Sequence, residues 1–327
     1  MADLEFIDRY REEFLSRLEA QYNLGEPKNL YEPIAYILAL GGKRLRPVLS
    51  LMGCELFGGR AKDAMGVALA IETFHNFSLV HDDIMDRAPL RRGQATVHEK
   101  WDLNTGILSG DALLILAYRF LEEYPPELYK ELTSLFSQTA LEVCQGQQYD
   151  MDFGNTQQVS IPQYLKMIEY KTAVLLAAAL KMGALVGGAG RGDAEALYRF
   201  GLNLGIAFQI QDDYLDLFGD PDTFGKQLGG DVLENKKTFL YLKALELSGS
   251  HEREELLRLY STKAEDGKAK IEAVRSIFGK CGSVEATKVE MGLFAQRAFE
   301  SLDQMELDEA AKSQLIRFGE YLIHREL

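Results

Sequence analysis

An all-α fold is what this sequence predicts, and three observations lead there. Nearly every segment repeats its apolar residues with a period near 3.6, the spacing of one helix face. The breaks between segments carry turn residues: Gly41-Gly42, Gly58-Gly59, Pro125-Pro126, Gly187-Gly188 and Gly229-Gly230. No stretch alternates apolar and polar residues convincingly enough to read as a strand. The patterns place helices at about 4–21, 29–40, 43–57, 61–86, 104–123, 127–150, 161–186, 193–219, 233–248, 252–261, 267–301 and 308–325. No Ser/Pro-rich linker, charge block or low-complexity segment divides the chain, so residues 1–327 read as one domain of about a dozen helices.

Composition narrows the class. A chain of 327 residues can bury a sizeable core, and 46% hydrophobic with 26% charged residues is ordinary globular usage. A net charge of −14 argues against nucleic acid or an anionic membrane as the main partner. Cys54, Cys144 and Cys281 lie far apart without metal-ligand spacing and suit a reducing compartment. The N-terminus lacks the basic start and apolar run of a signal peptide. The longest apolar run, Ala173–Leu180, is too short to span a bilayer and ends at Lys181. The expectation is a soluble, cytoplasmic protein.

In chain order, chemistry first shows at Gly41-Gly-Lys-Arg-Leu-Arg-Pro47. Two glycines free the backbone to approach a ligand, and Lys43, Arg44 and Arg46 open a helix. Backbone N–H groups and fixed cations together suit a diphosphate. The plainer reading is a glycine cap followed by a solvated basic turn. The spacing is not that of a Walker loop.

The helix that follows ends in three carboxylates, Asp82, Asp83 and Asp86. At ~100° per residue, His75, Leu79, Asp82 and Asp86 share one stripe, with Asp83 beside it. Like charges so spaced cost a helix roughly 0.2–0.5 kcal/mol per pair. A hard divalent cation offsets that by taking carboxylate oxygens. Arg91 and Arg92 follow within a short loop, placed to hold a phosphate that the acids reach through Mg²⁺. Charge balance at a helix end is the alternative, as is a core role for His75.

Lys171-Thr172 sits inside an apolar helix, where a lysine must pair, snorkel or meet a ligand. The carboxylate pattern then returns as Asp212, Asp213 and Asp216, with Gln209 one turn before on the same stripe. A glycine-rich segment, Gly225-Lys226-Gln-Leu-Gly-Gly-Asp231, and Asn235-Lys-Lys-Thr238 come next. They read either as a plain interhelical loop or as a lid that closes on phosphate. Two acidic sets on helices, each followed by cations, argue together for metal-assisted diphosphate chemistry.

These motifs, in this order, resemble the short-chain trans-isoprenyl diphosphate synthases of the polyprenyl synthetase family. The resemblance runs from about Ala35 to Thr238 and covers residues 41–47, 82–86 with Arg91-Arg92, Lys171-Thr172, Phe208-Gln209 with 212–216, and Gly225-Lys226 with 235–238. It implies the isoprenoid synthase fold, an all-α bundle around a deep central cavity, in a homodimer. It also implies that Asp82 and Asp86, supported by Asp83, and Asp212, supported by Asp213 and Asp216, ligate three Mg²⁺ ions. Arg91, Lys171, Lys226 and Lys236 would surround the diphosphate of an allylic prenyl diphosphate. Gly42, Lys43, Arg46, His75 and Arg92 would hold isopentenyl diphosphate, and Phe208, Thr172 and Gln209 would border the reacting carbons. Lys171, Thr172, Gln209 and Lys226 would thus serve catalysis. Asn235 departs from the pattern, since many relatives have glycine there, and it leaves Lys236 and Lys237 competing for one role.

In such enzymes the residue five before the first aspartate often floors the product cavity. Here it is Phe77, with Ser78 beside it and Phe74 below. That implies a fifteen- or twenty-carbon product, with a lean to twenty. Three rival readings are weaker. A terpene cyclase has a different second metal motif, a non-catalytic partner subunit loses acids from one or both sets, and an interaction scaffold leaves the six acids unexplained.

Overall fold

The computed structural model describes residues 5–21, 25–156, 158–220, 228–261 and 266–323. In chain order the elements are α1 (Glu5–Glu19), α2 (Lys28–Ala39), α3 (Leu45–Leu56), a 3₁₀ turn (Ala61–Ala64), α4 (Met65–Met85), β1 (Leu90–Arg91), β2 (Gln94–Ala95), α5 (Val97–Lys100) and α6 (Leu103–Arg119). A second 3₁₀ turn (Phe120–Glu123) leads to α7 (Pro126–Asn155) and α8 (Ile161–Ile168), then a π-helical turn (Glu169–Ala173), α9 (Val174–Val186) and α10 (Arg191–Phe218). The chain continues through α11 (Gly230–Leu233), α12 (Phe239–Leu247), α13 (Ser250–Ser261), α14 (Gly267–Cys281), α15 (Ser283–Leu302) and α16 (Glu309–Ile323). No helix among the described residues is long and apolar enough to cross a membrane.

The chain divides into two compact units. Unit one holds Met1–Ala140, Leu175–Tyr198 and Met305–Leu307; unit two holds Leu141–Val174, Arg199–Gln304 and Asp308–Leu327. In unit one α4 is the central helix, packed against α3 and α6 and buried along its N-terminal two-thirds. Its apolar residues reach all round, as a helix enclosed by others requires. Small residues bring α9 onto α3, since a Cβ at Gly183 would lie 2.0 Å from the Ser50 carbonyl oxygen. In unit two the core gathers around Tyr164, Ile210, Phe239, Val274, Phe278 and Met291.

The expected helices are present, and three departures have local causes. One short antiparallel pair exists, with Leu90 opposite Ala95 and Arg91 opposite Gln94. Its two-residue turn, Arg92-Gly93, has both residues at positive φ, the geometry that suits a tight hairpin. The helix expected at 233–248 starts only at Phe239, because Asn235 is left-handed (φ 58°) and Thr238 caps α12 by accepting from the Tyr241 N–H. The helix expected at 267–301 is two, the first ended by left-handed Gly282.

Candidate active site

In unit one the site is built from the C-terminal end of α4 and two strained loops. Arg87 is left-handed (φ 53°) just past the helix, where glycine is usual. The Arg87 N–H donates to the Ile84 carbonyl (3.2 Å) and the Ala88 N–H to that of Asp83 (2.9 Å), closing the helix end. Sharp closure leaves the three aspartates on the last turn. Asp83 is buried, and both its oxygens accept from Arg91, at 2.8 and 2.7 Å. Asp82 is half-buried and Asp86 exposed, one turn apart.

The basic loop before α3 is shaped by its glycines. Gly42 has φ 130°, and a Cβ there would lie 2.9 Å from the Arg92 guanidinium. Arg92 donates to the carbonyls of Leu40 and Gly41, which ties the hairpin turn to this loop. Arg46 and His75 meet at 3.4 Å, and the buried Nε of Arg46 has no hydrogen-bond partner among the described residues. Burial lowers the pKa of Arg46, and so does the nearby charge of Arg92. Desolvation, then the fields of Arg46 and Arg92, hold His75 well below its ordinary 6.5, so its imidazole is neutral. Lys43 is exposed in the same loop.

Arg44 corrects the reading of that cluster. It occupies a left-handed N-cap position (φ 50°) and turns inward. There it ion-pairs with buried Glu72 and donates to the Leu38 carbonyl at 2.5 Å. It therefore anchors the loop while Lys43, Arg46 and Arg92 carry its cationic face.

In unit two the second acidic set lies on the last turns of α10. Asp213 is buried and accepts from the Tyr164 hydroxyl and from Gln209 Nε2 (3.1 Å). Burial pushes its pKa well above the carboxylate range, and the neighbouring Asp231 adds to the rise. Asp212 and Asp216 are half-buried, and Asp216 accepts from the Asp231 N–H at 3.0 Å. Thr172 donates to Gln209 Oε1 at 2.9 Å, so these two residues do come together. Lys171 lies 2.6 Å from Asp150, and both belong to a close crossing of α7 with the π-helical turn. At that crossing a Cβ on Gly146 would lie 2.2 Å from the Lys171 nitrogen. Single π turns recur at functional sites, where they re-aim side chains.

The remaining expectations divide. Lys236 pairs with Glu234 (3.0 Å) and Asp231 (3.5 Å); Lys237 donates to the Phe153 carbonyl at 2.5 Å. Phe208 is half-buried on α10. Phe77 and Phe74 are buried with ring centroids 5.4 Å apart, Phe136 backs Phe74 at 5.4 Å, and the Ser78 hydroxyl turns back to the His75 carbonyl. Gly225 and Lys226 lie outside the described residues, as does the C-terminal His324-Arg-Glu-Leu327. Sequence reasoning missed Glu72, Asp150, Tyr164 and Asp231, which hold the predicted residues in place. The only trace was Lys171 itself, a lysine in an apolar helix that needed a partner.

The donor set suits Mg²⁺. Each acidic set offers hard oxygens one turn apart, Asp82 with Asp86 and Asp212 with Asp216, while the middle carboxylate is tied to protein. Among the described residues no three acidic, histidine or cysteine side chains close around a metal by themselves. Mg²⁺ characteristically takes one or two carboxylates and completes its shell with water and substrate phosphate.

Comparison with known proteins gives one consistent answer. The polyprenyl synthetase family model matches residues 27–277. The chain is 35% identical over 327 residues to the short chain isoprenyl diphosphate synthase of Methanothermobacter thermautotrophicus, covering 100% of this chain and 99% of that one. It is 37% identical to the geranylgeranyl diphosphate synthase of Methanosarcina mazei, over 92% of this chain and 91% of that one. A crystal structure of a geranylgeranyl pyrophosphate synthase superposes with a TM-score of 0.94 at 48% identity, covering 98% and 99% of the two chains.

Proposed function

The chain belongs to the polyprenyl synthetase family and is a prenyltransferase, and from that premise we propose that it condenses isopentenyl diphosphate with allylic prenyl diphosphates to give a short trans-prenyl diphosphate. The observation that carries this reading is in unit one. A carboxylate helix end and a cluster of Arg46, neutral His75 and Arg92 are built side by side, with Arg91 of the hairpin tied to the first and Arg92 to the second.

Lys43, Arg46 and Arg92 hold the diphosphate of isopentenyl diphosphate, and neutral His75 donates a hydrogen bond without adding charge. Lys171, steadied by Asp150, and Lys236 serve the allylic diphosphate. Asp82 and Asp86, and Asp212 with Asp216 beside it, would hold the Mg²⁺ ions. When bound, those ions neutralise charge building on the leaving diphosphate. The fixed cation of Lys171 adds to that stabilisation as the allylic C–O bond breaks. Thr172 and Gln209 border the allylic carbons with oxygen dipoles that favour positive charge. The double bond of isopentenyl diphosphate then attacks, and the departing diphosphate takes the proton lost from carbon. Water has to be excluded while positive charge is exposed.

Phe77, backed by Phe74 and Phe136, forms the floor for the growing chain, and a twenty-carbon product is the length we favour. The relatives' names as geranylgeranyl synthases support that length. Phe77→Ala is expected to lengthen the product by one or more five-carbon units; an unchanged product profile on chromatography would remove the floor from Phe77. A homodimer is part of the same proposal. Leu103, Ile107, Leu108 and Ile115 on α6 are 52%, 41%, 59% and 62% exposed, an apolar face that a second copy would cover.

The direct test is incubation with labelled isopentenyl diphosphate, Mg²⁺ and a five-, ten- or fifteen-carbon primer. A discrete prenyl diphosphate, abolished by EDTA, is the expected result. A hydrocarbon or alcohol made from the primer alone would replace the reading with cyclisation. Complete inactivity would point to a partner subunit.

A further inference from the structure

Asn235, the departure from the family pattern, is held in an unusual way. It is left-handed (φ 58°), a conformation glycine adopts freely and asparagine tolerates better than most residues. Its side-chain Oδ1 accepts from Lys270, a lysine on α14 that is only 4% exposed. Among the described residues no carboxylate pairs with Lys270; its ammonium instead lies 5.4 Å from the Tyr260 ring, which stacks on Tyr241 at 4.1 Å. Burying a lysine is costly unless it is paired or hydrogen-bonded, and Lys270 meets that need at Asn235.

What it holds is one end of a short, tightly tied segment. At the other end, the Gly229 N–H donates to the Asp216 carbonyl (2.6 Å) and the Asp231 N–H to the Asp216 carboxylate (3.0 Å). Between them, the Asn235 N–H donates to the Val232 carbonyl (3.2 Å) and the Lys236 N–H to that of Asp231 (2.9 Å). Left-handed Gly229 touches Ile271, the residue after Lys270: a Cβ at Gly229 would lie 2.7 Å from it. The segment 229–236 is therefore pinned to the second acidic set at one end and to α14 at the other.

We propose that Lys270 is a positioning residue for prenyl transfer, fixing left-handed Asn235 and through it the placement of Asp231 and Lys236 beside Asp216. Lys270 itself touches no substrate. Asparagine then does here what glycine cannot: it takes the same backbone turn and adds a side-chain acceptor that locks it. The inference rests on the proposed reaction and deepens it, because it assigns the lock to the allylic diphosphate rather than to isopentenyl diphosphate.

Steady-state kinetics of Lys270→Met, Asn235→Gly and the double variant test this, together with thermal melting of each. Both single variants are expected to raise KM for the allylic substrate about tenfold and to leave KM for isopentenyl diphosphate unchanged. The double variant is expected to add little to either, since both substitutions break the same contact. Asn235→Gly keeps the turn available and reports independently if Lys270→Met does not fold. Wild-type allylic KM in Asn235→Gly, equal losses for both substrates, or effects that multiply in the double variant would overturn the proposal while the wild type still elongates. A wild type that neither elongates nor binds an allylic diphosphate with Mg²⁺ would instead overturn the reaction, and this assignment with it.

Discussion

The two acidic sets read alike in sequence and are stabilised in opposite ways. In unit one the middle carboxylate, Asp83, is buried against a forked cation, Arg91. In unit two the middle carboxylate, Asp213, is buried against neutral donors, a tyrosine hydroxyl and an amide, with another acid nearby. The first therefore faces a full opposite charge, whereas burial and the neighbouring Asp231 push the second toward its neutral form. An identical spacing of aspartates thus fixes where the outer oxygens point, and the surroundings decide what the middle one is worth. Spacing sets geometry; neighbours set charge.

The strongest way to probe that comparison is activity. Asp82→Ala and Asp212→Ala are each expected to cut turnover by about three orders of magnitude while the protein stays folded, as loss of a metal ligand should. Folded variants with full activity would refute the metal roles, and a large loss in only one would show that the sets are unequal.

Stability should then separate the middle residues. Asp83→Asn leaves Arg91 facing an amide and is expected to cost about 2 kcal/mol, less than a fully buried pair because Arg91 is partly solvated. Asp213→Asn keeps an acceptor for Tyr164 and removes a disfavoured buried charge, so its effect at neutral pH should be under about 1 kcal/mol or stabilising. Denaturant melts without divalent cations measure both. Equal destabilisation would erase the contrast.

The pH dependence is expected to run in opposite directions. The folded-state pKa of Asp213 lies above its ordinary 3.8, so the folded state holds that proton more tightly and stability falls as pH rises above that value. His75 is depressed below 6.5, so the unfolded state binds its proton first and stability falls as pH drops below 6.5. The histidine contribution has a slope of at most about 1.4 kcal/mol per pH unit. His75→Gln should flatten the acid-side change and Asp213→Asn the other, read as denaturation midpoints across pH. A His75→Gln profile that matches the wild type on the acid side would count against the depressed histidine.

Much of this was legible in the chain. The helices follow from periodicity, and the carboxylate stripes and the basic residues 43–46 and 91–92 from residue type and spacing, while the grouping of Lys43 and Arg46 with Arg92 follows from the family resemblance. What could not be read is where a side chain turns when the backbone leaves the common regions. Arg44 looks like a third phosphate ligand until its left-handed backbone sends it to Glu72. Arg91 and Arg92 look equivalent until the hairpin aims one at Asp83 and the other at the carbonyls of residues 40 and 41. Tyr164 and Asp231 were illegible for another reason, since a partner distant in sequence has no periodic signature.

The crowding of Arg46, Arg92 and Arg44 around His75 has a thermodynamic side. Like charges gathered by the fold repel one another, and the folded state bears that repulsion in full while an unfolded chain disperses it. Any polyanion that settles among them is therefore a folding ligand, whether or not it reacts. Its stabilisation follows mass action, about 2.7 kcal/mol at a hundred times its dissociation constant. In the proposed cycle the by-product is inorganic diphosphate, an anion of the same kind as the substrates, which would steady the enzyme that released it while competing with the next substrate.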